Sequence, residues 1–210
     1  QTVDKTADYF AEIVTRRATG LIGSRKIIAI SGPPASGKST VAEAVVASLT
    51  AMEKTAALVP MDGFHLDNAV LERAGTLARK GAPETFDADG FVHLISRIAN
   101  GTEAVYAPVF DRARDITVAG AQLIPTNAEF VIVEGNYLML NAAPWDQLRQ
   151  FWTLSVAISA PMDVLEQRLM ERWAHYDIAP DEARAKVQGN DLRNAKMVLQ
   201  NSAPSDLILG

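Results

Sequence analysis

The hydrophobic positions of this chain fall into short β-branched or apolar runs that alternate with helical patterns. Residues 26–31 form the first such run, and apolar residues then recur at helical spacing from residue 41 to residue 49. Residues 3–21 carry a single apolar stripe at helical spacing, which predicts a helix that packs outside the strands. The strand-like runs span residues 26–31, 55–61, 130–133, 151–158 and 206–209.

Buried strands that alternate with helices are typical of a parallel sheet, because parallel strands need long crossovers and these are usually helical. We therefore predict the α/β class, with a three-layer, doubly wound parallel sheet that has helices on both faces. A length of 210 residues and a hydrophobic content of 48% are enough for one core. We expect residues 1–210 to form a single domain.

Residues 63–129 interrupt this alternation, because a crossover between two strands needs far fewer residues. The pattern within them predicts helices over residues 67–80 and 89–100, and an antiparallel excursion over residues 105–110 and 115–124. Long insertions at the functional edge of a sheet usually carry ligand contacts, so we predict that residues 63–129 form a binding pocket. An insertion that serves packing alone is the alternative.

Composition excludes several classes of function. The net charge of -5, without a dense Lys/Arg stripe, argues against nucleic-acid binding. The absence of cysteine excludes disulfides and thiolate metal sites, and it suits a reducing cytoplasm, where we expect the protein to be located. No run of 18 apolar residues and no cleavable signal is visible, so we expect no membrane association. A homo-oligomer is compatible with the sequence but has no support in it.

A phosphate-binding loop of the form Gly-x4-Gly-Lys-[Ser/Thr] follows the first strand-like run and precedes a helical pattern. In this context, backbone N–H groups and the positive end of the helix dipole hold the phosphates of a nucleoside triphosphate. Lys38 is expected to reach the β- and γ-phosphates, and the Ser39 hydroxyl to bind Mg²⁺. The motif places the fold among P-loop NTPases. Its nucleotide-binding residues are Gly32, Pro33, Pro34, Ala35, Ser36, Gly37, Lys38, Ser39 and Thr40.

Two further strand-like runs end in acids. Asp62 follows the second run, and Glu134 follows residues 130–133. Because the carboxyl ends of parallel strands meet at one edge of the sheet, both acids should lie beside the phosphate loop. Phosphoryl transfer to a hydroxyl needs one acid as base and one at the metal. We predict Asp62 as the general base and Glu134 as the metal-shell acid, although the roles can be exchanged. Either acid alone could instead cap a turn.

Residues 172–190 are charged and resemble a lid. Arg168 and Arg172 are four residues apart on a predicted helix, where a closing arginine would neutralise charge on the transferred phosphoryl group. We predict Arg168 as a nucleotide contact and Arg172 as a catalytic residue. Ion pairs with Glu166 or Glu171 on a solvated helix face are the alternative.

The remaining candidates would bind the second substrate together with Asp62. His65 could hydrogen-bond this substrate, and the pair Arg112 and Arg114 could grip an anionic or hydroxylated one. Asn136 and Tyr137 follow Glu134 and are placed to line the same pocket. The alternative for the two arginines is ordinary surface charge. Asn136 could instead be a turn residue, and Tyr137 a packed aromatic ring.

Several blocks of the chain resemble P-loop kinases of the uridine kinase, phosphoribulokinase and type I pantothenate kinase group. The resemblance implies an ATP-dependent kinase that uses Mg²⁺ and a small-molecule hydroxyl acceptor, with Asp62 as base and with Arg168 and Arg172 as lid contacts. It also implies phosphate and Mg²⁺ contacts by Lys38 and Ser39. Bacterial nucleoside-kinase-like proteins labelled fructose transport system kinases are the most similar members. The blocks are Asp62–His65, Arg79–Asp87, Ala107–Phe110 and Val133–Asn136.

The chain departs from this kinase group at two points that bear on the identity of the acceptor. Pantothenate kinases carry a longer, aromatic-rich segment before their last helix, whereas here a short charged stretch separates Arg172 from Asn194. Uridine kinases usually have a tyrosine where His65 stands. A fructose-like sugar or another small polyol is therefore slightly favoured, and a nucleoside or pantothenate remains the alternative.

Two other classes of protein compete with a kinase. Asp87 to Gly90 satisfies the Asp-x-x-Gly pattern of GTPases, but no buried strand precedes it and no Asn-Lys-x-Asp motif occurs in the chain. A nucleotide-binding regulatory protein that has lost catalysis is the second competitor. The retention of both Asp62 and Glu134 argues against it.

Overall fold

The computed structural model describes residues 5–210 and contains a five-stranded sheet beside a separate two-stranded hairpin. The strands are β1 (Lys26–Ser31), β2 (Ala56–Pro60), β3 (Val105–Asp111), β4 (Ile116–Ile124), β5 (Phe130–Gly135), β6 (Leu154–Ile158) and β7 (Leu207–Leu209). The helices are α1 (Lys5–Thr19), α2 (Lys38–Ala51), α3 (Asn68–Arg73), α4 (Ala88–Asn100), α5 (Met162–His175), α6 (Pro180–Lys186) and α7 (Leu192–Asn201).

The large sheet has the strand order β2-β5-β1-β6-β7, and every neighbouring pair is parallel. All six residues of β1 and all six of β5 are buried, as expected of central parallel strands that are covered on both faces. Their side chains alternate between two hydrophobic cores. Ile28 and Ile30 pack with α1 and α2, whereas Ile27 and Ala29 pack with α4 and α7 on the other face. This arrangement confirms the predicted three-layer α/β fold.

The insertion contains the predicted antiparallel hairpin, β3 with β4. The helix predicted over residues 67–80 is shorter than expected. It ends as α3 at Arg73, and a 3-10 turn follows at Leu77–Arg79. Gly75 has a φ of 68°, a left-handed conformation that glycine adopts without strain and that stops the helix. The segment after α3 therefore becomes a loop that can approach the end of the sheet.

Two other boundaries differ from the predictions. The run over residues 151–158 starts as a strand only at Leu154, because Trp145–Phe151 forms 3-10 turns. Strand β2 ends at Pro60, and Met61–Phe64 form a 3-10 turn that carries Asp62. The charged stretch after Arg172 is mainly helical: α6 leads through a wide π-helical turn, Val187–Asp191, into α7.

The first predicted helix is observed as α1, while Val3, which the sequence pattern assigned to its stripe, lies outside the described residues. None of the helices within residues 5–210 combines the length and apolarity that a membrane span requires.

Candidate active site

The phosphate loop joins β1 to α2 at the carboxyl edge of the sheet. Ala35 and Gly37 have φ values of 64° and 92°. An alternation of left-handed and ordinary backbone is typical of loops whose N–H groups form an anion-binding concavity. The Ser36 N–H donates to the Pro33 carbonyl at 3.2 Å and closes the turn. A Cβ on Gly32 would lie 2.3 Å from the Ile158 carbonyl oxygen, so close packing against β6 requires glycine there. The loop is thus shaped to hold an anion at the start of α2.

Lys38 is almost completely buried at the first position of α2. Its side chain lies back over the loop, where Nζ donates to the Pro33 carbonyl at 3.4 Å. Burial lowers the pKa of Lys38, and the negative charges of Glu134 and Asp62 oppose this shift. The two acids predicted from the strand ends therefore share one electrostatic environment with the lysine.

Glu134 lies at the end of β5 and faces the start of α2. The Ser39 hydroxyl donates to its Oε2 at 3.2 Å, and only 7% of the glutamate is exposed. Burial raises the pKa of Glu134 against the opposing charge of Lys38. A hydroxyl and a carboxylate this close are oxygen donors of the kind that Mg²⁺ prefers.

These donors fit an ion that arrives with a nucleotide. Within residues 5–210 no group of three or more His, Cys, Asp or Glu side chains could enclose a metal alone. Magnesium at nucleotide sites usually takes one or two protein ligands and completes its shell with phosphate oxygens and water. Ser39 and Glu134 match that requirement.

Asp62 lies next to Glu134 along the sheet edge. Pro60 pairs in register with Glu134, and the 3-10 turn after β2 places Asp62 two residues further on. Arg112, from the turn of the β3–β4 hairpin, donates to Asp62 Oδ2 at 2.5 Å. Burial favours a higher pKa for Asp62, but the charge of Arg112, assisted by other nearby cations, outweighs it and lowers the pKa. Asp62 is therefore ionised at neutral pH.

His65 closes the same turn and is held on three sides. Its Nδ1 lies 2.7 Å from the Asp62 carbonyl, which can only accept, so Nδ1 carries the proton and Nε2 carries a lone pair. The ring stacks on Phe110 with centroids 4.4 Å apart and lies against Phe86 at 4.2 Å. Burial lowers the pKa of His65, so the neutral ring is the form present at pH 7.

The two arginines of α5 lie at different places. Arg168 Nη1 donates to the Ala35 and Ser36 carbonyls at 3.2 Å and 3.4 Å, directly on the phosphate loop. Arg172 is half-buried. Burial lowers its pKa, the like charge of Arg112 adds to this, and Asp62 opposes it. Arg172 therefore lies within electrostatic range of Asp62.

Neither arginine forms an ion pair with Glu166 or Glu171, the acids of the solvated-face alternative. Glu166 accepts a hydrogen bond from Gln188, and Glu171 accepts one from Gln167. Within the described residues Arg172 forms no ion pair at all. An unpaired, half-buried guanidinium within electrostatic range of Lys38 and Asp62 is a suitable partner for an incoming anion.

Three of the residues predicted to bind the second substrate make contacts within the protein. Arg114 Nε pairs with Asp111 at 2.8 Å on the exposed side of the hairpin turn. Asn136 is held through its backbone carbonyl, which accepts a hydrogen bond from the Ser31 hydroxyl at 3.5 Å. Tyr137 is completely buried, and its hydroxyl donates to the Gly81 carbonyl at 2.5 Å. In place of the expected pocket wall, Tyr137 is a core residue that anchors the insertion.

Lys80 is a residue of the site region that the sequence reasoning missed. Its Nζ donates to Asn68 Oδ1 at 2.6 Å and to Asp115 Oδ1 at 2.8 Å, and it lies 5.2 Å from the centre of the Phe110 ring. These contacts fix the hairpin turn that carries Arg112. The only signal in the sequence was the position of Lys80 inside the block Arg79–Asp87.

Known proteins that are similar to this chain include kinases named for different substrates. A crystal structure of a candidate fructose transport system kinase from Silicibacter sp. TM1040 is 43% identical, with a TM-score of 0.89, and the match covers 98% of this chain and 99% of that one. A candidate uridine kinase of Schizosaccharomyces pombe is 29% identical over 88% of this chain and 83% of its own length. Pantothenate kinase of Lacticaseibacillus casei is 33% identical over 70% of this chain, but over only 49% of its own length.

The family assignment rests on most of the chain. The model of the Phosphoribulokinase / Uridine kinase family matches residues 27–175, a span that runs from β1 to the end of α5 and contains the phosphate loop, both acids and both arginines of α5. The chain therefore belongs to the Phosphoribulokinase / Uridine kinase family.

Proposed function

We propose that this protein transfers the γ-phosphoryl group of ATP to a hydroxyl group of a small metabolite, with a fructose-like sugar slightly favoured as acceptor. The observation that carries the proposal is the convergence of Lys38, Asp62 and Glu134 at one edge of the sheet, beside a complete phosphate loop. Each acid was predicted from the end of a different strand. The family membership supports a kinase in general.

In the proposed reaction the acceptor hydroxyl oxygen attacks the γ-phosphorus, the bond to the β-phosphate oxygen breaks, and ADP leaves. Asp62 accepts the hydroxyl proton. Lys38 and the loop N–H groups hold the phosphates, while Arg172 neutralises charge that spreads over the transferred group. Magnesium, held by Ser39 and Glu134, would supply further charge neutralisation on the phosphate oxygens.

We propose that Arg112 moves off Asp62 Oδ2 when the acceptor hydroxyl binds the carboxylate. In the described structure the guanidinium occupies Oδ2. Substrate entry would therefore exchange an ion pair for a hydrogen bond from the hydroxyl, and Arg112 would become free to contact the acceptor or the γ-phosphate.

The preference for a sugar rests on three supports. His65 stands where uridine kinases usually have tyrosine, the stretch between Arg172 and Asn194 is short, and the protein with 43% identity carries a name that mentions fructose. A nucleoside of the uridine type and pantothenate are the alternatives, since relatives with those names also match. A nucleotide-binding regulatory protein is the alternative outside the enzymes.

A screen of acceptors tests the proposal. ADP release from Mg-ATP would be measured with fructose and other sugars, with uridine and cytidine, and with pantothenate. We expect one acceptor to stimulate ADP release well above the rate with water alone. If ATP binds but no hydroxyl compound stimulates ADP release, the regulatory alternative is favoured and the kinase proposal fails.

The ion pair between Arg112 and Asp62 predicts a change in the pH profile. Asp62 acts as base only when ionised, and the charge of Arg112 lowers its pKa. Arg112→Gln removes that charge, so the acidic limb of kcat/KM should move to higher pH. Arg97→Gln, an exposed arginine of α4, is the matched control. An acidic limb that stays in place in Arg112→Gln would remove Asp62 as the group that titrates there.

A further inference from the structure

The wide turn at Val187–Asp191 is bonded to the insertion through one side-chain amide. Asn190 Oδ1 accepts a hydrogen bond from Arg79 Nη1 at 2.6 Å, and Asn190 Nδ2 donates to the Lys80 carbonyl at 2.9 Å. An amide that uses both its acceptor and its donor is fixed in orientation. Turns of π-helix often occur at functional sites. Asn190 therefore joins two segments that are more than one hundred residues apart in sequence.

The buried Asn194 reinforces this connection. Its Oδ1 accepts from Arg79 Nη2 at 3.3 Å, and its Nδ2 donates to Asn190 Oδ1 at 3.3 Å. Only 2% of Asn194 is exposed. The guanidinium of Arg79 thus donates hydrogen bonds to both asparagines. A buried polar network whose members hydrogen-bond one another is rigid.

The same turn is bonded to the helix that carries Arg172. The Trp173 indole N–H donates to Asp191 Oδ2 at 2.7 Å, between two half-buried side chains. Trp173 directly follows Arg172 in α5, and Asp191 directly follows Asn190 in the turn. Two neighbouring residues of the turn therefore reach the insertion on one side and the Arg172 helix on the other.

The segment Arg79–Gly81 is in turn bonded to the elements around Asp62 and Glu134. Lys80 holds the hairpin turn of Arg112 through Asp115, and the Gly81 carbonyl accepts from Tyr137, three residues after Glu134. A displacement of this segment by a bound acceptor would reach the wide turn, because Arg79 and the Lys80 carbonyl are hydrogen-bonded directly to Asn190.

We infer that Asn190 is a positioning residue that connects the acceptor-binding insertion to α5, so that filling the acceptor pocket places Arg172 for phosphoryl transfer. This inference rests on the proposed kinase function. The hydrogen bonds of Asn190 go to Arg79, Lys80 and Asn194, none of which is assigned to the reaction itself. Asn190 acts through Arg79 and Lys80 on one side, and through the adjacent Asp191 on the other.

Kinetics of Asn190→Ala test the inference on the acceptor found in the screen. We expect kcat to fall by about 10- to 100-fold and the KM of the acceptor to rise, since small misplacements of a catalytic group cost that much. Mg-ATP affinity should change by less than about twofold, because the phosphate loop is untouched. A loss confined to ATP affinity, or unchanged kinetics, would overturn the inference. Asn100→Ala, an exposed asparagine at the end of α4, is the control and should match the wild type.

A double-mutant cycle separates positioning from general destabilisation. If Asn190 acts through Arg79, the variant carrying both Arg79→Gln and Asn190→Ala should lose no more kcat than the worse single variant. Losses that multiply would show independent effects and contradict the connection.

Hydrogen exchange followed by mass spectrometry tests whether Asn190 connects the insertion to α5, even if no acceptor is found. In Asn190→Ala, exchange should rise several-fold in residues 77–86 and in residues 170–178, while residues 32–40 exchange as in the wild type. A rise confined to residues 187–194 would overturn the inference, and so would a rise across the whole chain, which would make Asn190 merely structural. A failed acceptor screen would contradict the kinase proposal separately.

Discussion

Asp62→Asn is expected to lower kcat by about 10²- to 10⁴-fold while Mg-ATP still binds. The amide keeps the shape of the carboxylate but cannot accept the hydroxyl proton. The substitution also removes the negative charge that pairs with Arg112, whose guanidinium lies 2.5 Å from Asp62 Oδ2. Turnover would be measured with the acceptor identified by the screen, and Mg-ATP affinity by calorimetry.

The matched control for this variant is Asp89→Asn, which changes an exposed acid in the first turn of α4. We expect it to retain wild-type kcat. Unchanged turnover in Asp62→Asn would remove Asp62 from the role of base. A large loss in Glu134→Gln together with a small one in Asp62→Asn would instead indicate that the two acids exchange roles.

Lys38→Ala is expected to reduce kcat/KM by on the order of 10²-fold or more, because electrostatic stabilisation of the transferred phosphoryl group is lost. The lysine is 8% exposed and lies between the phosphate loop and the two acids. Removal of Lys38 also removes the positive charge that keeps the pKa of Glu134 from rising further, so the affinity of the site for Mg²⁺ should fall as well. Steady-state kinetics with varied Mg-ATP would measure both effects.

Lys196→Ala, an exposed lysine of α7, serves as the control for the loss of a positive charge. It should behave as the wild type. Full activity in Lys38→Ala would contradict the interpretation of residues 32–40 as a functional phosphate loop, whatever the shape of its backbone.

The central sheet and the phosphate loop could be predicted because their signals are local. Residues 27–30 are apolar on both faces, as is typical of a central parallel strand, and the loop motif follows directly after Ser31. Asp62 and Glu134 could be placed at one edge because parallel strands all end on the same side. The register of Pro60 with Glu134 agrees with that placement.

The contacts around these acids could not be predicted, because they join residues that are distant in sequence. Arg112 reaches Asp62 across fifty residues, and the pairing depends on the twist and register of the β3–β4 hairpin. Asn190 reaches Arg79 across 111 residues. No periodicity in the chain records such pairs.

Tyr137 illustrates a second limit of sequence reasoning. Its position after Glu134 favoured the pocket, but the aromatic ring is fully buried against Phe86 and Trp145 and its hydroxyl is taken by Gly81. Strand β5 ends at Gly135 and the backbone bends at residues 136 and 137, so the alternation of a strand no longer predicts which side chain enters the pocket and which enters the core. The sequence does not fix that choice where a strand ends.

Tracing the γ-phosphoryl group of labelled ATP tests the central claim most directly. The protein would be incubated with Mg-ATP carrying a γ-³²P label and with each acceptor, and the label would then be separated into ATP, inorganic phosphate and organic phosphate ester. We predict that the label enters an organic ester with the wild type and Asp89→Asn, but not with Asp62→Asn. Label that leaves ATP only as inorganic phosphate with every acceptor, or ester formation that Asp62→Asn leaves undiminished, would contradict the account.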